Sequence, residues 1–321
     1  GLVISISFWK HPAEEFLTGS NLKFSKFWAV LIGINAYRSS PLRGCLTDVE
    51  SMKEFLTKDL GVPEGRIQHI DPEKRRIVEA VTTPIRENII DTLLNLSTNP
   101  EIQHGDNIII YFSGHGSSYE LSDFYEAGDI SAEESIEALC TVDRTASGTD
   151  SSILDIGDRE INIILAEIAR AKGNHITLVL DCCYSSGASR DPSESPNVVR
   201  HATSLPATSI KDMLEAADAR LGKLSRYHSV FERDWKPDMI SHVVLAACEE
   251  TQYAEEAPEG GDNRWNGVFT QALIKALKSD GLKDDSTYVD LIRASKMLQN
   301  TVQRPVIAGN SSARLWYQPK V

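Results

Sequence analysis

Two short segments hold the residue types that acyl transfer requires. One reads Ser113-Gly114-His115-Gly116, the other Asp181-Cys182-Cys183-Tyr184-Ser185-Ser186-Gly187. A cysteine thiolate is intrinsically nucleophilic, and an imidazole beside it draws the thiol pKa from about 8.5 into the neutral range. His115 and Cys183 are therefore a candidate base and nucleophile. The glycines flanking His115 let a substrate backbone come close, so the amides of Gly116 and Cys183 are candidate donors to a developing oxyanion. Taken singly, His115 also reads as a loop histidine and Cys183 as a small buried hydrophobe. Their shared position, each just past an apolar run, sets the pair apart.

For the two side chains to meet, their segments must leave neighbouring strands of one sheet at the same edge. Residues 107–112 (NIIIYF) and 176–180 (ITLVL) are short apolar runs of the kind found in buried parallel strands. Adjacent strands lie about 4.8 Å apart, within reach of such a pairing. Further strands are expected at 27–34 (FWAVLIGI), 66–70, 242–247 and 305–308. A capping box from Thr47 to Glu50 predicts a helix starting near Thr47. Other helices are expected at about 83–97, 158–171 (Ile161, Ile164, Leu165 and Ile168 on one face), 267–278 and 287–299. The alternation predicts an α/β fold with a doubly wound, mostly parallel six-stranded sheet flanked by helices, and ligands at the carboxyl ends of the strands.

Residues 1–22 read as an N-terminal extension and 23–321 as one domain. The domain divides into a first part, 23–187, a polar insertion, 188–238, and a second part, 239–321. The insertion carries Pro192, Pro196, Pro206 and Pro237, with one expected helix at 209–221. Its Arg190, Arg200, Lys211, Arg220, Lys223, Arg226, Arg233 and Lys236 read as exposed basic residues in a protease-accessible segment.

The segments FSGHGS (112–117) and LVLDCCYSSG (178–187) resemble the histidine and cysteine motifs of caspase-like peptidases, and among them the metacaspases, whose cysteine block reads Asp-Ser-Cys-His-Ser-Gly. LIGINAY (31–37), LRGCLTD (42–48), ALCTVDR (138–144) and VVLAACEETQYAEE (243–256) follow in the family's order. The resemblance covers about residues 27–280. It implies that Cys183 is the nucleophile, with Cys182 at the preceding serine position, Tyr184 in place of the usual histidine and Ser186 as an insertion. It also implies a fold that joins large- and small-subunit halves through the polar insertion.

The resemblance further places Asp48 and Asp181 in the pocket for the residue before the scissile bond. Two carboxylates there favour Arg or Lys. Asp48 also reads as a helix first-turn acid stabilised by the dipole, and Asp181 as a strand terminator. Arg43 nearby would suit an acidic side chain instead. Metacaspase-like calcium binding maps onto Asp143, Asp158 and Asp191, with Arg159 where the family has another aspartate, a change that implies a site weakened, shifted to Glu160 or absent; Asp158 is equally a helix N-cap. Chemistry by Cys183 and His115 calls for no cofactor, and Ca²⁺ is the ion the resemblance suggests. Cys45, Cys140 and Cys248 read as packing residues, and Cys182 and Cys183 lack the spacing of zinc ligands. The expected function is a cysteine endopeptidase acting after Arg or Lys and on itself. A catalytically silent caspase-like scaffold and an aspartate-selective peptidase are the alternatives.

Composition bounds the partners. The formal charge is −13, spread along the chain, which opposes nucleic acid and anionic membranes and suits basic peptides. No run approaches the roughly 20 apolar residues that span a bilayer. Five cysteines without a C-x-x-C pair fit a reducing compartment, so a cytoplasmic protein acting on protein or peptide substrates is expected, and the resemblance to metacaspases implies a monomer.

Overall fold

A computed structural model describes residues 4–5, 27–69, 81–123, 135–145, 153–184, 197–232, 234–249, 252–259, 264–283, 285–294 and 303–315. In chain order the elements are β1 (Ile4–Ser5), β2 (Phe27–Gly33), α1 (Cys45–Glu54), β3 (Ile67–His69), β4 (Val81–Thr82), α2 (Arg86–Thr98) and β5 (Asn107–Ser113). Then come β6 (Gly116–Glu120), β7 (Ser135–Leu139), β8 (Ile156–Gly157), α3 (Asp158–Lys172), β9 (Ile176–Asp181), β10 (Val198–Val199) and α4 (Thr208–Leu221). The last are β11 (Val243–Ala246), β12 (Glu255–Pro258), β13 (Trp265–Gly267), α5 (Val268–Leu277), α6 (Tyr288–Ala294) and β14 (Val306–Gly309).

Alternation along the apolar runs divides them between two faces. Trp28, Val30, Ile32, Ile108, Ile110, Phe112, Leu178 and Leu180 turn to one side of a six-stranded sheet, where α2 and α3 supply Ile89, Leu93, Ile164 and Ile168. Phe27, Ala29, Leu31, Ile109, Tyr111 and Val179 turn to the other, against Val49, Met52 and Phe55 and then Phe269 and Leu273 of α5. Both faces are thus covered, and the central strands β2, β5 and β9 are buried along their whole length. The sheet order is β14-β11-β9-β5-β2-β3, parallel except for β14, which pairs antiparallel with β11. This is the expected mostly parallel α/β sheet with helices on both sides.

Two departures have physical causes. The helix expected to start at Thr47 starts at Cys45, with Gly44 as N-cap. Its free amides are satisfied by distant side chains rather than by a local box: Asn35 Oδ1 accepts from the Cys45 amide at 2.9 Å, and Glu256 takes the amides of Arg43 and Gly44 at 2.8 and 2.9 Å. Two three-stranded sheets, β6-β7-β8 and β10-β12-β13, were not foreseen. Their strands are two to five residues long and carry no sustained alternation.

The polar insertion is partly structural. Helix α4 places Ile210, Met213, Leu214 and Ala217 against Tyr119, Ile136 and Leu154 in a third apolar cluster. Among the described residues, no helix is long and apolar enough to cross a membrane. The expectations for 295–299, Asp191, Arg190 and Arg233, and for most of the N-terminal extension, lie outside the described residues.

Candidate active site

The register of the sheet fixes where His115 and Cys183 emerge. Strands β5 and β9 pair in parallel with Ser113 opposite Asp181, so the residue two beyond each paired position is His115 on one strand and Cys183 on the other. Gly116, next to His115, sits so close to Cys183 that a Cβ there would run into the Cys183 carbonyl. Glycine at 116 is required by this approach of two backbones.

His115 is 1% exposed. Its amide donates to the Tyr37 hydroxyl at 2.9 Å, and the two rings stand 4.5 Å apart. Nε2 lies 2.7 Å from the Ser40 carbonyl, which only accepts, so Nε2 carries the proton and Nδ1 is the basic nitrogen. Nδ1 is buried without a hydrogen-bond partner. Burial drives the imidazole pKa down to about 4, against the opposing pull of the Ser40 carbonyl. The ring is neutral at physiological pH. Cys183 donates its thiol to the Ala254 carbonyl at 3.6 Å. The thiol of Cys248 also lies against Cys183, and that contact, with burial, raises the Cys248 pKa. Cys248 is thus a neighbour of the candidate nucleophile as well as a packing residue.

Arg200 was expected to be exposed. It is fully buried, the largest fully buried side chain among the described residues. The reason is charge: Nη2 lies 2.6 Å from Asp48 Oδ2 and 3.5 Å from Glu256 Oε2, and Nη1 lies 2.9 Å from Asp181 Oδ2. Burial by itself disfavours the guanidinium, but the carboxylates of Asp181 and then Asp48 work against it, and the Arg200 pKa is held well above its ordinary value. Asp48 shows the converse, since its burial beside Asp181 raises its pKa to about 6 even with Arg200 in contact.

Surrounding groups hold the acids in place. Ser113 donates its hydroxyl to Asp48 at 3.1 Å and accepts from Arg200 at 2.9 Å. The Gly267 amide donates to Asp48 at 2.8 Å, and the Thr270 hydroxyl donates to Asp181 at 2.6 Å. A Cβ at Gly267 would collide with the Asp181 carboxylate and the Arg200 guanidinium, so glycine here gives the pocket its depth.

The backbone around Arg200 is bound as firmly as its side chain. The Arg200 carbonyl accepts from the amides of Gly116 and Cys183, both at 3.2 Å, and its own amide donates to Ala254 at 2.9 Å. Just before it, β10 pairs antiparallel with β12, Val199 opposite Glu255. An extended segment therefore crosses the carboxyl edge of the sheet with a basic side chain in an acidic pocket and the following carbonyl against two amides.

A sequence model of the caspase domain matches residues 26–316. The chain belongs to the caspase-domain family. Metacaspase-2 of Arabidopsis thaliana is 27% identical over 280 residues, covering 84% of this chain and 55% of that protein. Metacaspase-1 of Eremothecium gossypii is 32% identical over 161 residues, 50% of this chain and 32% of its own. The chain spans about a third to a half of the length of these two metacaspases. Among solved structures, the Geobacter sulfurreducens protein GSU0716 superposes with a TM-score of 0.56 at 18% identity, covering 92% of this chain and 100% of that one, which shows a common fold.

In this caspase domain Asp143, Asp158 and Glu160, which were expected to hold calcium, have partners within the chain. Asp143 accepts the Arg86 amide at 3.1 Å, at the start of α2. Asp158 takes the Arg159 amide at 2.7 Å, and burial raises its pKa to about 6. Glu160 is paired with Arg86 at 2.5 Å. Arg159 points its guanidinium at the Val230 carbonyl, 2.7 Å away, and over the Trp235 ring. Among the described residues, no group of three or more His, Cys, Asp or Glu is placed to hold a metal ion. Asp191, the third acid of the expected set, lies outside the described residues.

Sequence reasoning named Asp48 and Asp181 but missed Glu256, Ser113, Gly267 and Thr270. Glu256 ends the quoted segment 243–256, yet nothing local marks it as facing a helix start 212 residues earlier in the chain. Arg43, an awkward presence in the sequence, stacks on Trp265 at 5.0 Å and lends the pocket only its amide.

Proposed function

We propose that this domain is a cysteine endopeptidase that cuts after Arg, and by the same charge logic after Lys, with Cys183 as nucleophile and His115 as base. The observation that carries the reading is Arg200, bound through both backbone and side chain as the residue before a cut would be. Cys183 gives its proton to His115 Nδ1, and the thiolate sulfur attacks the carbonyl carbon. The amides of Gly116 and Cys183 hold the oxyanion. The C–N bond to the next residue then breaks, with His115 returning the proton to the departing amine. Water, deprotonated by His115, attacks the thioester, which releases the new carboxylate and restores the thiol. Asp48 and Asp181, joined by Glu256, select the basic side chain; an acidic side chain would be repelled by all three carboxylates.

The nucleophile, base and oxyanion donors all come from the chain, so the proposed chemistry uses no cofactor. Calcium enters as an assay variable. The sparse cysteines support a cytoplasmic setting, and substrates are protein or peptide chains with basic residues, acted on by a monomer.

The same reading assigns the bond between Arg200 and His201 as a self-cleavage site. Intact-mass analysis with and without calcium should find fragments 1–200 and 201–321, with Cys183→Ala and Arg200→Gln staying whole. A wild-type chain that remains uncut, and turns over none of a panel of Arg, Lys and Asp peptides, would favour the silent scaffold.

A further inference from the structure

Beyond the proposed cut, the chain is held as closely as before it. Residues 201–205 run along β6, an edge strand of its three-stranded sheet. His201 forms a parallel bridge with Gly116, and the Ala202 amide donates to the Gly116 carbonyl at 3.0 Å. Ala202 is 6% exposed, which leaves little space for a larger side chain. Arg144 donates through Nη1 and Nη2 to the Thr203 carbonyl, both at 3.1 Å. The Ser204 hydroxyl accepts from Ser117 at 3.2 Å and donates to the Ser118 carbonyl. The Leu205 amide donates to the Tyr119 hydroxyl at 3.2 Å.

The groups that make these contacts are themselves fixed. Arg144 is clamped by Asp155, with Nε at 2.8 Å from one oxygen and Nη2 at 2.7 Å from the other. Tyr119 donates to the same carboxylate at 2.6 Å, and Asp155 is fully buried. One buried acid thus orients both groups that read the backbone at the third and fifth residues past Arg200. Groups held this way retain their geometry when the segment leaves.

We infer that β6, with Arg144, Ser117 and Tyr119, is a recognition track for the five residues after the cut, selecting a small second residue and a hydroxyl-bearing fourth residue. The inference rests on the peptidase reading above and adds the substrate class: extended chains that add a strand to β6, rather than peptides ending at the basic residue. Main-chain contacts give affinity, and the two side-chain positions give selectivity.

The test uses the full-length protein and internally quenched peptides copying residues 197–205, beside a coumarin amide of Val-Val-Arg with nothing after the arginine. Any competition from the protein's own segment acts on all peptides alike, so ratios are informative. Leu in place of Ala at the second position after the cut should lower kcat/KM by about tenfold or more through overpacking. Ala in place of Ser at the fourth should lower it by about three- to tenfold, the effect of one lost hydrogen bond. In Ser117→Ala that second difference should shrink, because its partner is gone. Equal kcat/KM for all three extended peptides, with the coumarin amide still cleaved, would overturn the track while leaving the basic-site reading intact. No turnover of any peptide, coumarin amide included, would sink both.

Discussion

Two arginines hold residues 197–205, one buried and one half-buried, and they do so in opposite senses. Arg200 belongs to the segment and reaches into the body, where Asp48, Asp181 and Glu256 wait. Arg144 belongs to the body and reaches out to a backbone carbonyl, its charge already neutralised by Asp155. The first contact depends on what side chain the bound chain carries, and the second would form with any sequence. The acidic pocket also holds more negative charge than one guanidinium cancels; burial first, and the neighbouring Asp181 after it, raise the Asp48 pKa above its ordinary value. The Arg144 pair is balanced within the body.

That difference predicts opposite effects on turnover and stability. Asp48→Asn removes an acid from an over-charged cluster while keeping an acceptor for the Gly267 amide. kcat/KM for Arg peptides should fall by about a hundredfold or more, the scale of a broken buried pair at about 3–5 kcal/mol, with a much smaller change in unfolding free energy. An Arg peptide cleaved as fast by Asp48→Asn as by wild type would end the idea of a charge-selective pocket. Arg144→Met should reverse the pattern by leaving Asp155 without its cation. A stability loss of about 3 kcal/mol by chemical denaturation is expected, with a lesser fall in cleavage of the coumarin amide.

Next in size is a pH effect at the shared centre. His115 is near 6.5 in the unfolded chain and about 4 when folded, so between those values the unfolded state takes up a proton that the folded state refuses. Stability should therefore decline as pH drops from about 6.5 to 4, by up to about 3 kcal/mol from this residue. His201 and His242, also lowered by burial, act in the same direction. His115→Gln should flatten part of the slope in denaturation curves, and an unchanged slope would refute the assignment. The smallest effect belongs to Glu256→Gln. At 3.5 Å its contact with Arg200 is the longest of the three, and a loss of about tenfold in kcat/KM is expected.

The sequence by itself determined the sheet, because alternating burial on two faces is a local pattern: NIIIYF and ITLVL each declare a strand within a few residues. It also determined where His115 and Cys183 fall, since both follow such runs directly. Only the tertiary structure decided which of eight basic residues in the polar insertion enters the pocket, that Glu256 closes that pocket, and that β6 and Arg144 line the path beyond it. Those outcomes depend on long-range pairing, such as the Asp48 and Arg200 contact across 152 residues of chain, and on burial that gives a charged side chain its partners. Periodicity and spacing record which face a residue turns inward; they carry no record of what it meets there.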